Sequence, residues 1–314
     1  MNATKWKLKL AIPLFVALAY GPAQALAVPI ILGSNLASFA VLGATGVTNV
    51  ATSTIGGNLG SAPTASSGGG YVFSSGSLQE NTALAQQAQL DLDAAILAVN
   101  AGGADFTIAA GNGNLDAFQI TQGGSLAPGT YDVGAGTSNL LGSLTLDGGG
   151  SNTAEWRFRF SSTFIMSEGS DVSVIDVGDG SGVGIYWSVG SAATLDGDTL
   201  VGNVFANTLI SSNGGLTLGC GRLASATSQV TLIQDTISLG CSAATGIDTT
   251  DVTGAGSQVA TSGGFAGGAD IGSGGTGGSG GEVVNGVPEP GTALLLGFGL
   301  TGLLASRKRL LAVA

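Results

Sequence analysis

The sequence predicts a mostly β chain wound as a β-solenoid, with one long α-helix alongside. Three observations predict it. Short runs of Val, Ile, Leu, Phe and Thr alternate in character and are broken by Gly, Asn, Asp and Ser. Similar units return about every twenty residues, with few tight hairpin signals between them. A single stretch, Leu78–Ala101, changes to helical spacing, with Leu84, Ala88, Leu92, Ala95, Ile96 and Val99 on one side and Gln86, Gln87, Gln89, Asp91 and Asp93 mostly on the other. Such a helix needs an apolar surface to lie on. On pattern alone, a β-sandwich is the competing architecture.

The strand runs are Leu144–Leu146, Val172–Ile175, Gly184–Val189, Val201–Ala206 and Val230–Ile233, with related units at Gly214–Leu218 and Gln234–Leu239. In Glu155–Phe160 the charged residues Glu155, Arg157 and Arg159 alternate with Trp156, Phe158 and Phe160. The period of two puts the charges on one outward face and the rings inside, which reads as an ion-pair ladder. Cys220 and Cys241 are separated by about one coil, so in a solenoid they would sit at equivalent places on neighbouring rungs. A disulfide fits that register, and two buried free thiols are the alternative.

Composition narrows the function. The chain has 314 residues, of which 56 are Gly and only 9% are charged, and it has no His. That removes the usual general base and the commonest transition-metal ligand, and two Cys cannot complete a zinc site. The net charge is −11, and between residues 10 and 306 the only cations are Arg157, Arg159 and Arg222. A nucleic-acid partner is therefore not expected.

The two ends read as address labels. Lys5, Lys7 and Lys9 precede an apolar run from Leu10 to Tyr20 and small-x-small sites at Ala23–Ala25 and Ala25–Ala27, which is the pattern of a secretory signal peptide over 1–27. The run is short of the ~20 residues that span a bilayer, although an uncleaved anchor is the other reading. A folded domain is expected over 28–245, followed by a Gly/Ser-rich linker over 246–286. The tail, 287–314, joins Val287-Pro288-Glu289-Pro290-Gly291 to an apolar segment over 293–305 and then Arg307-Lys308-Arg309. The basic cluster would hold the tail in the inner membrane, cytoplasmic end inside. This tripartite end resembles the PEP-CTERM sorting signal of Gram-negative bacteria; an ordinary short membrane tail is the alternative. The resemblance implies an exosortase-type processing enzyme as partner, transient anchoring, and delivery to the cell surface or an exopolysaccharide matrix.

A second resemblance covers about Ile30 to Cys241. It is carried in order by Leu32-Gly33-Ser34, Phe39–Gly43, Gly46-Val47-Thr48-Asn49, Ile55–Gly60, Ala85-Gln86-Gln87-Ala88, Leu126–Tyr131, Leu144–Asp147, Trp187–Ser191, Val201–Val204 and Gly221–Ala224. Together these resemble the ice-binding-like domain of microbial antifreeze proteins. The resemblance implies a discontinuous right-handed parallel β-helix of triangular section with a helix alongside. It also implies an ice crystal surface as partner, no cofactor, no metal and no catalysis. Ice-active members carry a Thr-(Ala/Gly)-x-(Thr/Asn) motif, which Thr45-Gly46-Val47-Thr48 matches in full. Eroded counterparts are placed at Ser167–Ser170, Asp196–Thr199, Gly214–Thr217 and Ile233–Thr236. The ice-face candidates are accordingly Thr45, Thr48, Thr199, Thr217 and Thr236. Any single Thr is equally well a solvent-facing strand residue, so only a coplanar set carries this reading.

Three further patterns point to no additional chemistry. Polysaccharide lyases also use β-helices, but Asp176, Asp179, Asp196 and Asp198 have only the three interior arginines to act with, and Arg222 reads as structural. The turns Asp176–Gly180 and Asp196–Asp198 are oxygen-rich without forming a full calcium repeat, so solvated turns are expected. The tract around Gly264 has no Lys and no strand-to-helix setting, which excludes a phosphate loop.

Overall fold

The computed structural model describes residues 32–240 apart from 137, 138, 179 and 181. The leader over 1–27, the stretch 246–286, the tail 287–314 with its apolar segment 293–305, Asp179 and Cys241 lie outside the described residues. Among those described, no helix is long and apolar enough to cross a membrane.

Helix α1 (Ser34–Ala37) leads into β1 (Phe39–Gly43), β2 (Gly46–Val50), β3 (Ser53–Gly56), β4 (Asn58–Ser61), β5 (Tyr71–Ser75) and β6 (Leu78–Glu80). Helix α2 (Ala83–Val99) follows, then β7 (Phe106–Ile108), α3 (Leu115–Thr121), β8 (Gly129–Val133), β9 (Ser143–Asp147) and β10 (Glu155–Phe160). The remaining strands are β11 (Phe164–Met166), β12 (Asp171–Ile175), β13 (Gly184–Val189), β14 (Ala193–Leu195), β15 (Thr199–Ala206), β16 (Ile210–Ser212), β17 (Thr217–Ser225), β18 (Gln229–Ile233) and β19 (Thr236–Ser238).

Every described pairing is parallel, and apart from β7 with β8 no strand pairs with the next strand in the chain. That arrangement excludes the antiparallel sandwich and gives a right-handed, three-sided β-helix. The first side runs β7-β8-β10-β13-β15-β17-β1-β4-β6, the second β11-β14-β16-β18-β2, and the third β9-β12-β15-β17-β19-β3-β5. Strands β15 and β17 each turn the corner from the third side to the first. Their register shifts between Val201 and Asn203, where Gly202 sits at φ 100° with Ile185 packed against it.

The helix is discontinuous in sequence. The first coil, β1 to β3, stacks on the last, β17 to β19, through Val41↔Leu223, Thr48↔Thr231 and Thr54↔Thr236. Helix α2 then carries the chain back along the outside to β7 at the opposite end. It starts at Ala83 rather than Leu78 because Leu78–Glu80 pairs with β4, and Thr82 caps it by accepting the Ala85 N–H at 3.2 Å. Its buried stripe, Ala85, Ala88, Leu92, Ala95 and Val99, packs with Leu42, Tyr186, Phe205 and Ala224 on the first side. At its C-terminus Arg159 donates to the carbonyls of Asn100 and Gly102, at 3.1 and 3.0 Å, where a cation favours the helix dipole. The expected ladder of charges is present on β10: Arg157 pairs with Glu155, and Arg159 with Asp132 at 2.6 Å. Arg157 is nevertheless buried, not a surface residue.

The core is ordered by register. Trp187, Phe158, Tyr131 and Phe106 occupy the same place on successive rungs, and their rings stack at 4.3, 5.1 and 4.6 Å. The buried indole N–H groups of Trp156 and Trp187 donate to the carbonyls of Leu126 and Val201.

At the junction of first and last coils, Asp235 turns inward. Its carboxylate accepts from Ser212 Oγ and from the Leu216 and Ile233 amides, while its own N–H donates to Ser53 Oγ at 3.0 Å. Burial pushes its carboxyl above the ordinary 3.8, partly opposed by the hydrogen bonds from Ser212, Ile233 and Leu216. The folded state therefore binds this proton more tightly than the unfolded chain does. Its contribution to stability rises as pH falls through the raised pKa toward the unfolded value, and declines as pH rises. Urea unfolding of the wild type and Asp235→Asn should show their stability difference moving in favour of the wild type as pH is lowered from neutral toward 3.8. A difference that stays flat over that range would contradict the assignment.

Candidate functional site

Because α2 covers the first side, the second and third sides are the ones that meet solvent, and they differ in the rows they present. On the second side β11, β14 and β16 have three residues each, with only the middle one turned out. The register lines up the row Ile165, Thr194, Ser211, Thr231 and Thr48, and on the longer strands β18 and β2 Ile233 and Val50 pair beside it. Thr48 Oγ1 donates to Thr231 Oγ1 at 3.0 Å.

The third side carries one long row. Ser143, Asp171, Thr199, Thr217, Thr236, Thr54 and Val72 follow one another in direct register. Two residues along the strands, Thr145 pairs with Ser173 at one end of the side and Ser238 with Gly56 at the other, whereas between them Val201 is fully buried in the core and Gly219 is buried. Parallel pairing sets the rungs ~4.8 Å apart, and alternate residues repeat at ~6.6 Å along the strand. The result is a straight file of hydroxyls and methyls at the rung spacing, flanked by Thr145 and Ser173 at one end and by Ser238 at the other. Beneath it, Leu144, Val172, Leu200, Leu218, Ile237 and Ile55 are fully buried, so the outward set is anchored by an unbroken apolar row.

The five sequence candidates divide between these sides. Thr199, Thr217 and Thr236 stand together in the third-side row. Thr48 stands in the second-side row, and Thr45 is exposed at the corner just before β2. The full motif Thr45–Thr48 thus spans the corner between first and second sides, whereas the four eroded tetrapeptides lie at the corner between second and third. The first-coil counterpart at that second corner is Ala51-Thr52-Ser53-Thr54, so Thr54 belongs to the row and was missed. A signal for it exists in the sequence: Thr199-Leu200-Val201, Thr217-Leu218-Gly219, Thr236-Ile237-Ser238 and Thr54-Ile55-Gly56 repeat a Thr–aliphatic–small triplet.

Electrostatically the third side is sparse. All three arginines among the described residues lie on first-side segments of β10 and β17. Asp171 is the one carboxylate in the Thr54–Ser143 row, and it accepts from Ser143 Oγ at 2.8 Å. Glu168 and Asp198 are exposed at the rim, while Asp235 is withdrawn into the corner. Among the described residues no three His, Cys, Asp or Glu side chains gather as a metal site. Cys220, at the corner between third and first sides, is disulfide-bonded, and its N–H donates to the carbonyl of Gly240 on the next rung at 3.2 Å.

Comparison with known proteins returns one family and solved structures of the same fold. Residues 41–238 match the Ice-binding-like family. The chain belongs to this family. An ice-binding protein of Nostoc sp. (strain HG1) is 30% identical over 222 residues, 69% of this chain and 77% of that protein. Among solved structures, the ice-binding protein of the Antarctic ascomycete Antarctomyces psychrotrophicus is 31% identical with a TM-score of 0.58, covering 68% of this chain and all of that one. An ice-binding protein from an Antarctic biological consortium is 30% identical with a TM-score of 0.56, covering 74% and 95%. Outside the Ice-binding-like domain, residues 286–309 match the PEP-CTERM protein-sorting motif.

Proposed function

We propose that this is an exported ice-binding protein that adsorbs to ice through its third side and so restrains ice growth or recrystallisation. One observation carries the choice of side: its registered row runs over seven rungs with Thr on four in succession, where the row of the second side runs over five and mixes Ile, Ser and Thr. Hydroxyls of Thr199, Thr217, Thr236 and Thr54 anchor water at the rung spacing, and their methyl groups limit its rearrangement. The β-branched side chains are stiff at χ1 and the backbone beneath is fixed on both edges by neighbouring rungs, so little entropy is lost on contact. The absence of Lys and Arg among the described residues of this side removes strongly hydrated chains that would hold water in other arrangements. The activity needs no cofactor and no bond-making step. The PEP-CTERM match supports export to the surface or exterior of a Gram-negative cell, with the tail as substrate for an exosortase-type enzyme.

Thr217→Tyr and Thr236→Tyr should each abolish most of the thermal hysteresis and crystal faceting seen with the purified protein, while Thr194→Tyr on the second side leaves them near wild type. The reverse pattern would place the ice face on the second side. No effect of the unmodified protein on ice growth would refute the function itself.

The partner of Cys220 in this reading is Cys241, the only other cysteine in the chain. The proximity of Gly240 to Cys220 and the oxidising route of export support the pairing. The Cys220→Ser/Cys241→Ser double variant should lose ~3 kcal/mol of stability, as expected for closing a loop of this size, read by urea unfolding. Two titratable thiols in the oxidised wild-type protein would exclude the bond.

A further inference from the structure

The column of stacked rings in the core has an end, and that end is not closed. Trp187, Phe158 and Tyr131 are buried and each is covered on both faces by a neighbouring rung. Phe106, on the last described rung, stacks on Tyr131 at 4.6 Å with 12° between the planes, and no further rung among the described residues covers it. Phe118 from α3 meets it only edge-on, at 6.3 Å and 70°. Beside this half-covered ring lies a cavity of about 270 Å³, lined among others by Phe106, Gln122, Ser125, Pro128, Tyr131 and Asp147.

We propose that this cavity is a saccharide-binding pocket that takes a single neutral hexopyranose ring. Its wall is apolar on one flank, from Phe106, Tyr131 and Pro128, and this suits the C–H face of a pyranose packed against an aromatic ring. The other flank supplies a carboxylate, an amide and a hydroxyl from Asp147, Gln122 and Ser125, a set able to accept from and donate to vicinal hydroxyls. Asp147 is held in place because its Oδ1 accepts the Gly149 N–H at 2.9 Å, leaving Oδ2 as an acceptor. Anions are excluded on charge: an acid and no base lines the cavity, and the chain carries −11 overall. The volume lies at the small end of ligand sites, ~300 Å³ and upward, which fits one ring and not an oligomer. The lining residues lie on β7 and β8, at the end of β9 and in the connection from α3 to β8, none of them on the Thr199–Thr54 rungs. The site is therefore independent of the ice-contact reading and leaves the ice face free.

The test is amide-resolved NMR titration of the purified protein with D-glucose, D-galactose and N-acetyl-D-glucosamine, each to about 50 mM, above a Kd of ~1–10 mM for one ring. At least one sugar should give saturable shifts at Gln122, Ser125 and Gly149. The Gln122→Ala/Ser125→Ala double variant, whose side chains lie outside the core, should weaken that binding about tenfold, the equivalent of ~1.4 kcal/mol, while ice faceting is unchanged. Phe106→Leu should do the same by removing the ring. Absence of saturable shifts with all three sugars, saturable binding that the double variant leaves unaltered, or tighter binding of glucuronate than of glucose would each overturn the proposal.

Discussion

Parallel pairing between successive coils fixes the distance from each rung to the next at ~4.8 Å, and the rest of the molecule follows from that spacing. Inside, it forces like onto like, so Trp187, Phe158, Tyr131 and Phe106 form a column of rings, and Leu200, Leu218, Ile237 and Ile55 form a row of aliphatic chains. Outside, the same constraint turns a Thr that recurs once per coil into a straight file. A residue's environment is set by its place on the coil, and each coil repeats the same places. This is why one side serves as a bed for α2 along its length and another presents hydroxyls along its length.

A solenoid built this way has two exposed ends and one interrupted seam. The seam, where the first coil sits on the last, is closed by backbone pairing on all three sides and by the Ser212–Asp235–Ser53 chain of hydrogen bonds across residues 182 positions apart. A carboxylate withdrawn into that corner satisfies three donors and also keeps a charge off the ordered side. Helix α2 spans the distance between the ends, and each of its termini is held by the sheet: Thr82 follows directly on β6, and Arg159 reaches the final carbonyls.

Much of this was legible in the sequence because alternation and period are local. The runs around Val172, Ile185, Val201 and Val230 are strands, and the amphipathic stretch is a helix, shortened at its start because β6 claims Leu78–Glu80. The division of the candidate threonines between two sides was not legible. A Thr-Gly-x-Thr tetrapeptide looks the same at either corner, and which corner it occupies depends on coil lengths that vary from one turn to the next. Thr54 escaped for the same reason, although its Thr–aliphatic–small triplet marks it once the third-side register is known. The inward turn of Asp235 depends on Ser212 and Ser53, neither adjacent to it in sequence. The open end of the ring column depends on Phe106 being last in the stack, which only the topology determines.

The central claim is that rung spacing on the third side imposes order on water. A cryogenic crystal structure that resolves hydration would test it directly. A file of waters should lie along the row Thr199, Thr217, Thr236, Thr54, one per rung and repeating at the strand spacing. Waters scattered without that period, or ordered equally well over Thr194, Ser211 and Thr231, would contradict it.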